Sequence, residues 1–268
     1  MDRKYKFNYK STINSIILLA GSFVFAFLLA EMVHEFGHYL AHLVYRTPGT
    51  GIHLDPFGGT RITGVISIPN KAMLVTTLAG PLSSLILGVA TTLLLWQHRK
   101  PIFLALLLWG PVAMIQEGVN LSLGMLSPGS DAAWIAALLL PSGVVLGIGI
   151  ILLIFGIIII PLFLPLAGIQ LDEPAPIRFG IMFVSMGSLM FIRFVYSALS
   201  VPGHTQENLY PLILTFLFSA VIVLLHCQMN QMVDKARPST PLRIPVSAVI
   251  ASWILGGGMF FFQVLMFN

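Results

Sequence analysis

Phe23-Val24-Phe25-Ala26-Phe27-Leu28-Leu29-Ala30-Glu31-Met32-Val33-His34-Glu35-Phe36-Gly37-His38-Tyr39-Leu40-Ala41-His42 reads as one apolar helix into which two acids and three histidines are written. The apolar run around it, Ile13 to Tyr45, is long enough at 1.5 Å per residue to cross a 30 Å hydrocarbon core with tilt and still project beyond it. Within it, His34 and His38 are four residues apart and therefore lie one above the other on a single helix face. Two imidazoles so placed can meet one Zn²⁺ at about 2.1 Å, and Glu35 beside them is a candidate general base. Ionisable groups at membrane depth carry a cost and so point to function.

The rest of the composition agrees with a bilayer as solvent. The chain has 268 residues, of which 57% are hydrophobic and only 9% charged, and its mean hydropathy is +0.92. Soluble domains carry roughly a quarter charged residues. No ten-residue alternation of a β-barrel is present, so the expected class is an all-α integral membrane protein, in the plasma or cytoplasmic membrane. The net charge of +4 does not imply nucleic acid, because the basic residues fall in loops and termini, where they set topology. Cys227 is the single cysteine, excluding an intramolecular disulfide, and reads as a small buried hydrophobe. The basic start, Arg3, Lys4, Lys6 and Lys10, followed by an apolar run with no small-residue cleavage site, reads as a retained signal anchor.

Taken in order, the chain predicts about seven transmembrane helices in a single polytopic domain over 1–268. After Ile13 to Tyr45, the stretch Thr47 to Asn70 is broken by Pro48, Gly49, Gly51, Pro56, Gly58 and Gly59, and Arg61 to Ile68 alternates like a strand; a small β-hairpin or re-entrant element is expected. Spans follow at Ala72 to Gln97 and Ile102 to Leu126. Ser127-Pro128-Gly129-Ser130-Asp131 then breaks the helix, with Asp131 able to cap a short half-helix, Ala132 to Leu140. Further spans are expected at Gly143 to Leu166, Arg178 to Ser200, Asn208 to Gln228 and Pro245 to Phe267. With the N-terminus inside, the inner loops hold the four N-terminal charges plus Arg99, Lys100, Arg178, Lys235, Arg237 and Arg243, against Arg46, Arg61 and Lys71 outside. Arg193 remains inside a span and is expected to snorkel to the interface. Gly143, Gly147, Gly149 and the Gly256-Gly257-Gly258 run are expected to permit close helix packing.

A catalytic zinc needs a third protein ligand. His42 lies about 12 Å along the helix from His34, too far for three imidazoles on one helix to meet one ion. Asp131, at the break between membrane segments, is the better candidate, the alternative being a mere helix cap. Glu117 and Asn120 share a face of the third span: Asn120 can donate to an oxyanion and Glu117 can support a ligand, or both can simply join helices. Glu31, one turn before His34, either orients a ligand or sits in a wet cavity.

The ordered set formed by His34-Glu35-Phe36-Gly37-His38, Pro56-Phe57-Gly58-Gly59, Ala79-Gly80-Pro81 and an Asp after a broken segment resembles the site-2 protease family of intramembrane zinc metalloproteases. The likeness covers roughly residues 13–141 and leaves 142–268 as additional transmembrane helices without a role. It implies one zinc per chain on His34, His38 and Asp131, with Glu35 as base. The reaction implied is hydrolysis of a peptide bond in or near a transmembrane segment of a membrane-associated protein substrate, held as an unwound strand by the element containing Pro56, Phe57, Gly58 and Gly59. The chain departs from the family pattern in having Ser130-Asp131-Ala132 without a following glycine, and Asn120 farther upstream. The family often places its metal nearer the cytosolic face, whereas the basic N-terminus carries this histidine pair toward the opposite side.

Three other classes compete. A non-catalytic relative would bind helices as a scaffold or chaperone, but needs no Glu35. A di-iron oxygenase is suggested by Glu31-x-x-His34 and Glu35-x-x-His38, yet both units share one helix. A transporter would use Glu117 and the broken helix, but no inverted repeat is evident.

Overall fold

The computed structural model describes residues 9–47, 49–54, 61–63, 70–127, 129–170, 173–200, 205–229 and 244–267. Its elements are α1 (Tyr9–Val44), β1 (Gly51–His53), β2 (Arg61–Thr63), α2 (Asn70–Leu95), α3 (Leu104–Leu123), α4 (Asp131–Leu138), α5 (Ser142–Ile159), α6 (Ala175–Ser200), α7 (Thr205–Gln228) and α8 (Val246–Phe267). Among the described residues, six helical stretches are long and apolar enough to cross a membrane: Thr12–Val44, Ala72–Leu95, Pro101–Leu126, Ser142–Ala167, Ala175–Val195 and Val246–Leu265. This is a predominantly helical, multi-pass membrane architecture with one small sheet. The expected seventh span, Asn208 to Gln228, lies within α7, whose apolar stretch Ile213–Gln228 is shorter than the other six.

The long first helix is the axis of the bundle. It packs against α2, α3, α6 and α8, while α3 also packs against α5, and α6 against α7. Leu18, Leu19 and Phe23 are wholly buried and join Leu104, Leu107, Leu108 and Phe163 in one core. Side chains such as Leu94, Leu224 and Ile254 face outward, as lipid requires. Close approach between α1 and α8 depends on Gly21 and Gly256, since a Cβ on Gly256 would lie 2.6 Å from the Gly21 carbonyl oxygen. Gly149 likewise lets α5 reach Gly118 and Ser122 of α3. Gly143, Gly147, Gly257 and Gly258 have open space where a side chain would go, so the packing role expected for them is not theirs.

Pro111, inside α3, has a local remedy. Pro111 cannot donate to the Leu107 carbonyl, and the Thr92 hydroxyl of α2 donates to that oxygen instead, at 3.0 Å, while accepting from Gly110 N–H at 3.1 Å. This ties α2 to α3. Pro81 interrupts α2 in the same way, opposite the histidines of α1. The first helix stops where Arg46 takes a left-handed conformation (φ 53°) and Thr47 N–H returns to the His42 carbonyl at 3.0 Å.

The break after α3 is built by one hydroxyl. Ser130 Oγ donates to the Gly124 carbonyl at 2.5 Å and accepts from Ala133 N–H at 3.2 Å, and Gly129 beside it has φ 88°. Ser130 is thus the N-cap of α4, which spans Asp131–Leu138. The capping role expected of Asp131 is corrected by one residue. Its carboxylate, in the first turn, is left free to point elsewhere.

Three further expectations change. Arg193 does not snorkel: its guanidinium is buried and forms a two-pronged ion pair with Glu31, at 2.9 and 2.6 Å. Arg178, expected as a loop charge, is buried in the first turn of α6, where Nη1 donates to His226 Nδ1 at 3.2 Å and Nη2 to Cys227 Sγ at 3.0 Å. Cys227 itself is exposed, contrary to the buried hydrophobe expected from its apolar setting. The cause is position: α7 ends one residue later.

Candidate metal centre

The three candidate ligand atoms come from two helices, α1 and α4. His34 and His38 project from one face of α1, and Asp131 from the first turn of α4. His34 Nε2 lies 3.0 Å from Asp131 Oδ2, His38 Nε2 lies 3.2 Å from the same oxygen, and the two Nε2 atoms are 3.0 Å apart. In a tetrahedral site with bonds of 2.0–2.1 Å, ligand atoms stand about 3.3 Å from one another. The triangle therefore has the size a small ion requires.

The other ring nitrogens decide what those atoms are. His34 Nδ1 lies 2.8 Å from Glu117 Oε1, and His38 Nδ1 lies 2.6 Å from the Thr76 carbonyl oxygen. Both partners accept only, so each Nδ1 carries the proton and each Nε2 presents a lone pair; the tautomers are assigned from these partners. In the neutral imidazoles, two lone pairs and a carboxylate oxygen then face one another. Such an arrangement repels itself unless a proton or a metal cation stands between the atoms. The His34, His38 and Asp131 group can hold a metal ion.

The supporting contacts are as specific as the ligands. A buried carboxylate behind a ligating imidazole fixes its ring and raises its basicity, and Glu117 of α3, fully buried, does this for His34. The Thr76 carbonyl does the same for His38; it stands at the turn of α2 loosened by Pro81, one residue before the carbonyl that Pro81 leaves without a donor. Gly80 makes room for the ring, since a Cβ there would collide with His38 Nε2, Cε1 and Cδ2. Gly37, between the histidines, has the Ala79 carbonyl against it in the same way.

Compared with family models, curated proteins and solved structures, the chain matches none. What the site can do must be read from its own geometry.

His34, His38 and Asp131 line a cavity of about 810 Å³, together with Glu35, His42 and Asn120 from the helices and Arg61 and Ile62 from β2. Glu35 thus opens on the same space as the ligand triangle. His42 stays outside that triangle, with Nδ1 3.3 Å from Thr47 Oγ1, as its distance along the helix requires. Asn120 reaches the cavity wall, whereas Glu117 is behind His34 and does not. Glu31 is not beside the ligands; Arg193 holds it, and it lines a second, smaller cavity. Pro56, Phe57, Gly58 and Gly59 lie outside the described residues, but the strands on either side of them pair antiparallel, with Ile52 opposite Ile62.

Sequence reasoning did not single out Thr76, Ser130 or Arg193 for these roles. Pro81 was the signal for Thr76, because a helical proline advertises a disturbed carbonyl ladder. A serine directly before the first residue of an apolar helix was no stronger a sign than Asp131 next to it. The partnership of Glu31 with Arg193, 162 residues apart, has no local signature.

Proposed function

We propose that this protein is an intramembrane zinc metalloprotease of the site-2 protease type, hydrolysing a peptide bond in or near a transmembrane segment. One observation carries the reading: two imidazoles, of His34 and His38, and the Asp131 carboxylate converge beside Glu35 in a cavity between membrane-spanning helices. Two imidazole nitrogens and one carboxylate oxygen would hold a catalytic zinc, whereas a structural site would be closed by a fourth protein ligand. When bound, zinc polarises a carbonyl and makes water acidic enough to attack it near neutral pH.

The chain's own residues supply the rest. Glu35 takes the proton of the attacking water as oxygen bonds to the carbonyl carbon, then hands it to the amine nitrogen as the carbon–nitrogen bond breaks. Asn120, on the cavity wall, donates to the oxygen on which charge develops. Glu117 keeps His34 oriented throughout. A substrate helix hides its amides and must be extended before hydrolysis, and β2, whose Arg61 and Ile62 line the cavity, offers a strand for it to pair with. In this reading α7 completes a seven-span topology.

The test uses purified full-length protein in lipid nanodiscs. One zinc per chain is expected, and Glu35→Gln should keep the zinc, lose cleavage of single-pass membrane substrates and co-purify with one as a trapped complex. Equal cleavage by Glu35→Gln and the unaltered chain rules out the proposed role of Glu35, and with it this mechanism.

A further inference from the structure

A second cavity, of about 170 Å³, lies among α1, α3, α6 and α7, behind the metal-centre cavity. Val119 and Asn120 of α3 line both spaces and so form the partition between them. The walls are mixed. Met186, Met190 and Phe218 are apolar, but Gln116 and the Glu31–Arg193 ion pair also face in.

Gln116 decides the occupant. Its Oε1 is buried without a hydrogen-bond partner. A buried amide oxygen left unmatched is costly, and neither a lipid tail nor an apolar side chain can donate to it. Water can, and the ion pair and Asn120 provide further polar contacts that hold ordered water. Glu31, facing this cavity, and Glu35, facing the other, are one helical turn apart on α1.

We infer that the cavity bounded by Gln116, Asn120 and the Glu31–Arg193 pair is a water chamber that supplies the metal-centre cavity across the Val119–Asn120 partition. Its role as a supply rests on the hydrolytic function proposed above; its hydration does not. Hydrolysis consumes one water per bond, and an extended substrate lying along β2 fills the metal-centre cavity from the hairpin side. The replacement water then comes from behind α3.

Two methionines are built-in reporters. Hydroxyl radicals made from bound water by a short X-ray pulse oxidise adjacent methionine to the sulfoxide, even where bulk solvent does not reach. In the full-length protein in nanodiscs, Met186, only 2% exposed, and Met190 should be oxidised at least tenfold faster than Met182, which is fully buried in the core on the same helix. Equal rates at Met186 and Met182 overturn the chamber. Gln116→Leu should slow Met186 oxidation several-fold and lower kcat with KM and zinc content unchanged; Gln116→Glu, which keeps an acceptor, should retain both. Unchanged kcat in Gln116→Leu with Met186 protected overturns the supply role and leaves the protease reading intact. Fast Met186 oxidation in a chain that cleaves no peptide sustains the chamber and overturns the protease reading.

Discussion

Gly80 of α2 lies directly against the imidazole of His38: a Cβ at that position would come within 2.5 Å of Cε1 and 2.7 Å of Cδ2. The contact is with the ring of a ligand, not with a flexible chain end, and the ring is already fixed by its bond to Thr76. Gly80→Ala should therefore displace His38 and weaken zinc binding by about 10–100-fold, the range seen when ligand orientation is lost. Competition with a calibrated chelator measures it. Native-like affinity in Gly80→Ala would show that the ring can move aside.

His34 Nε2, His38 Nε2 and Asp131 Oδ2 stand within 3.2 Å of one another, so a bound zinc would stabilise the fold. Chelation should lower the thermal midpoint, and zinc at 100 times its Kd should restore about 2.7 kcal/mol. In Asp131→Ala the restoration should shrink, because one ligand is gone. Thermal unfolding of the protein in detergent, with and without added zinc, reads both.

Ser130→Ala removes the cap of α4 and the bond to Gly124 together. A loss of about 0.5–2 kcal/mol of local stability is expected, with faster amide exchange in Ala133 and Trp134 and weaker metal binding, since Asp131 is the next residue. Ser130→Thr should preserve all three. Wild-type exchange in the alanine variant would mean that metal, not the cap, holds the turn.

Arg193→Met leaves the Glu31 carboxylate, about a fifth exposed, without its partner. Breaking a buried pair in this way costs about 3–5 kcal/mol, and the lower end applies here because Glu31 is not fully shut off. Glu31→Gln with Arg193→Met should recover most of the loss. Unfolding midpoints of the two single variants and the double variant give the coupling between α1 and α6.

How legible was this in the sequence? The helices were, because a membrane span writes itself as an apolar run whose length is set by the bilayer. Ile13 to Tyr45 differs from α1 by four residues at one end and one at the other. The two histidines were legible because helical spacing alone brings i and i+4 together. Asp131 could be reached from its place at the break between membrane segments, but not its freedom from capping, since Ser130 and Asp131 are equally good caps and only backbone geometry chooses between them. The Glu31–Arg193 and Arg178–His226 pairs were illegible for another reason. They depend on which helix faces which, and an apolar helix with no strongly preferred face leaves that choice to three-dimensional packing.

The ligands are separated by 93 residues between His38 and Asp131. A chain made at about 5–20 residues per second therefore presents the histidine pair many seconds before the carboxylate exists. Until α4 has entered the bundle, α1 carries two uncoordinated imidazoles and an acid through the insertion machinery. If the proposed protease reading holds, loading of the ion is tied to the birth order of the helices, and an incomplete chain lacks the site that would cut its neighbours.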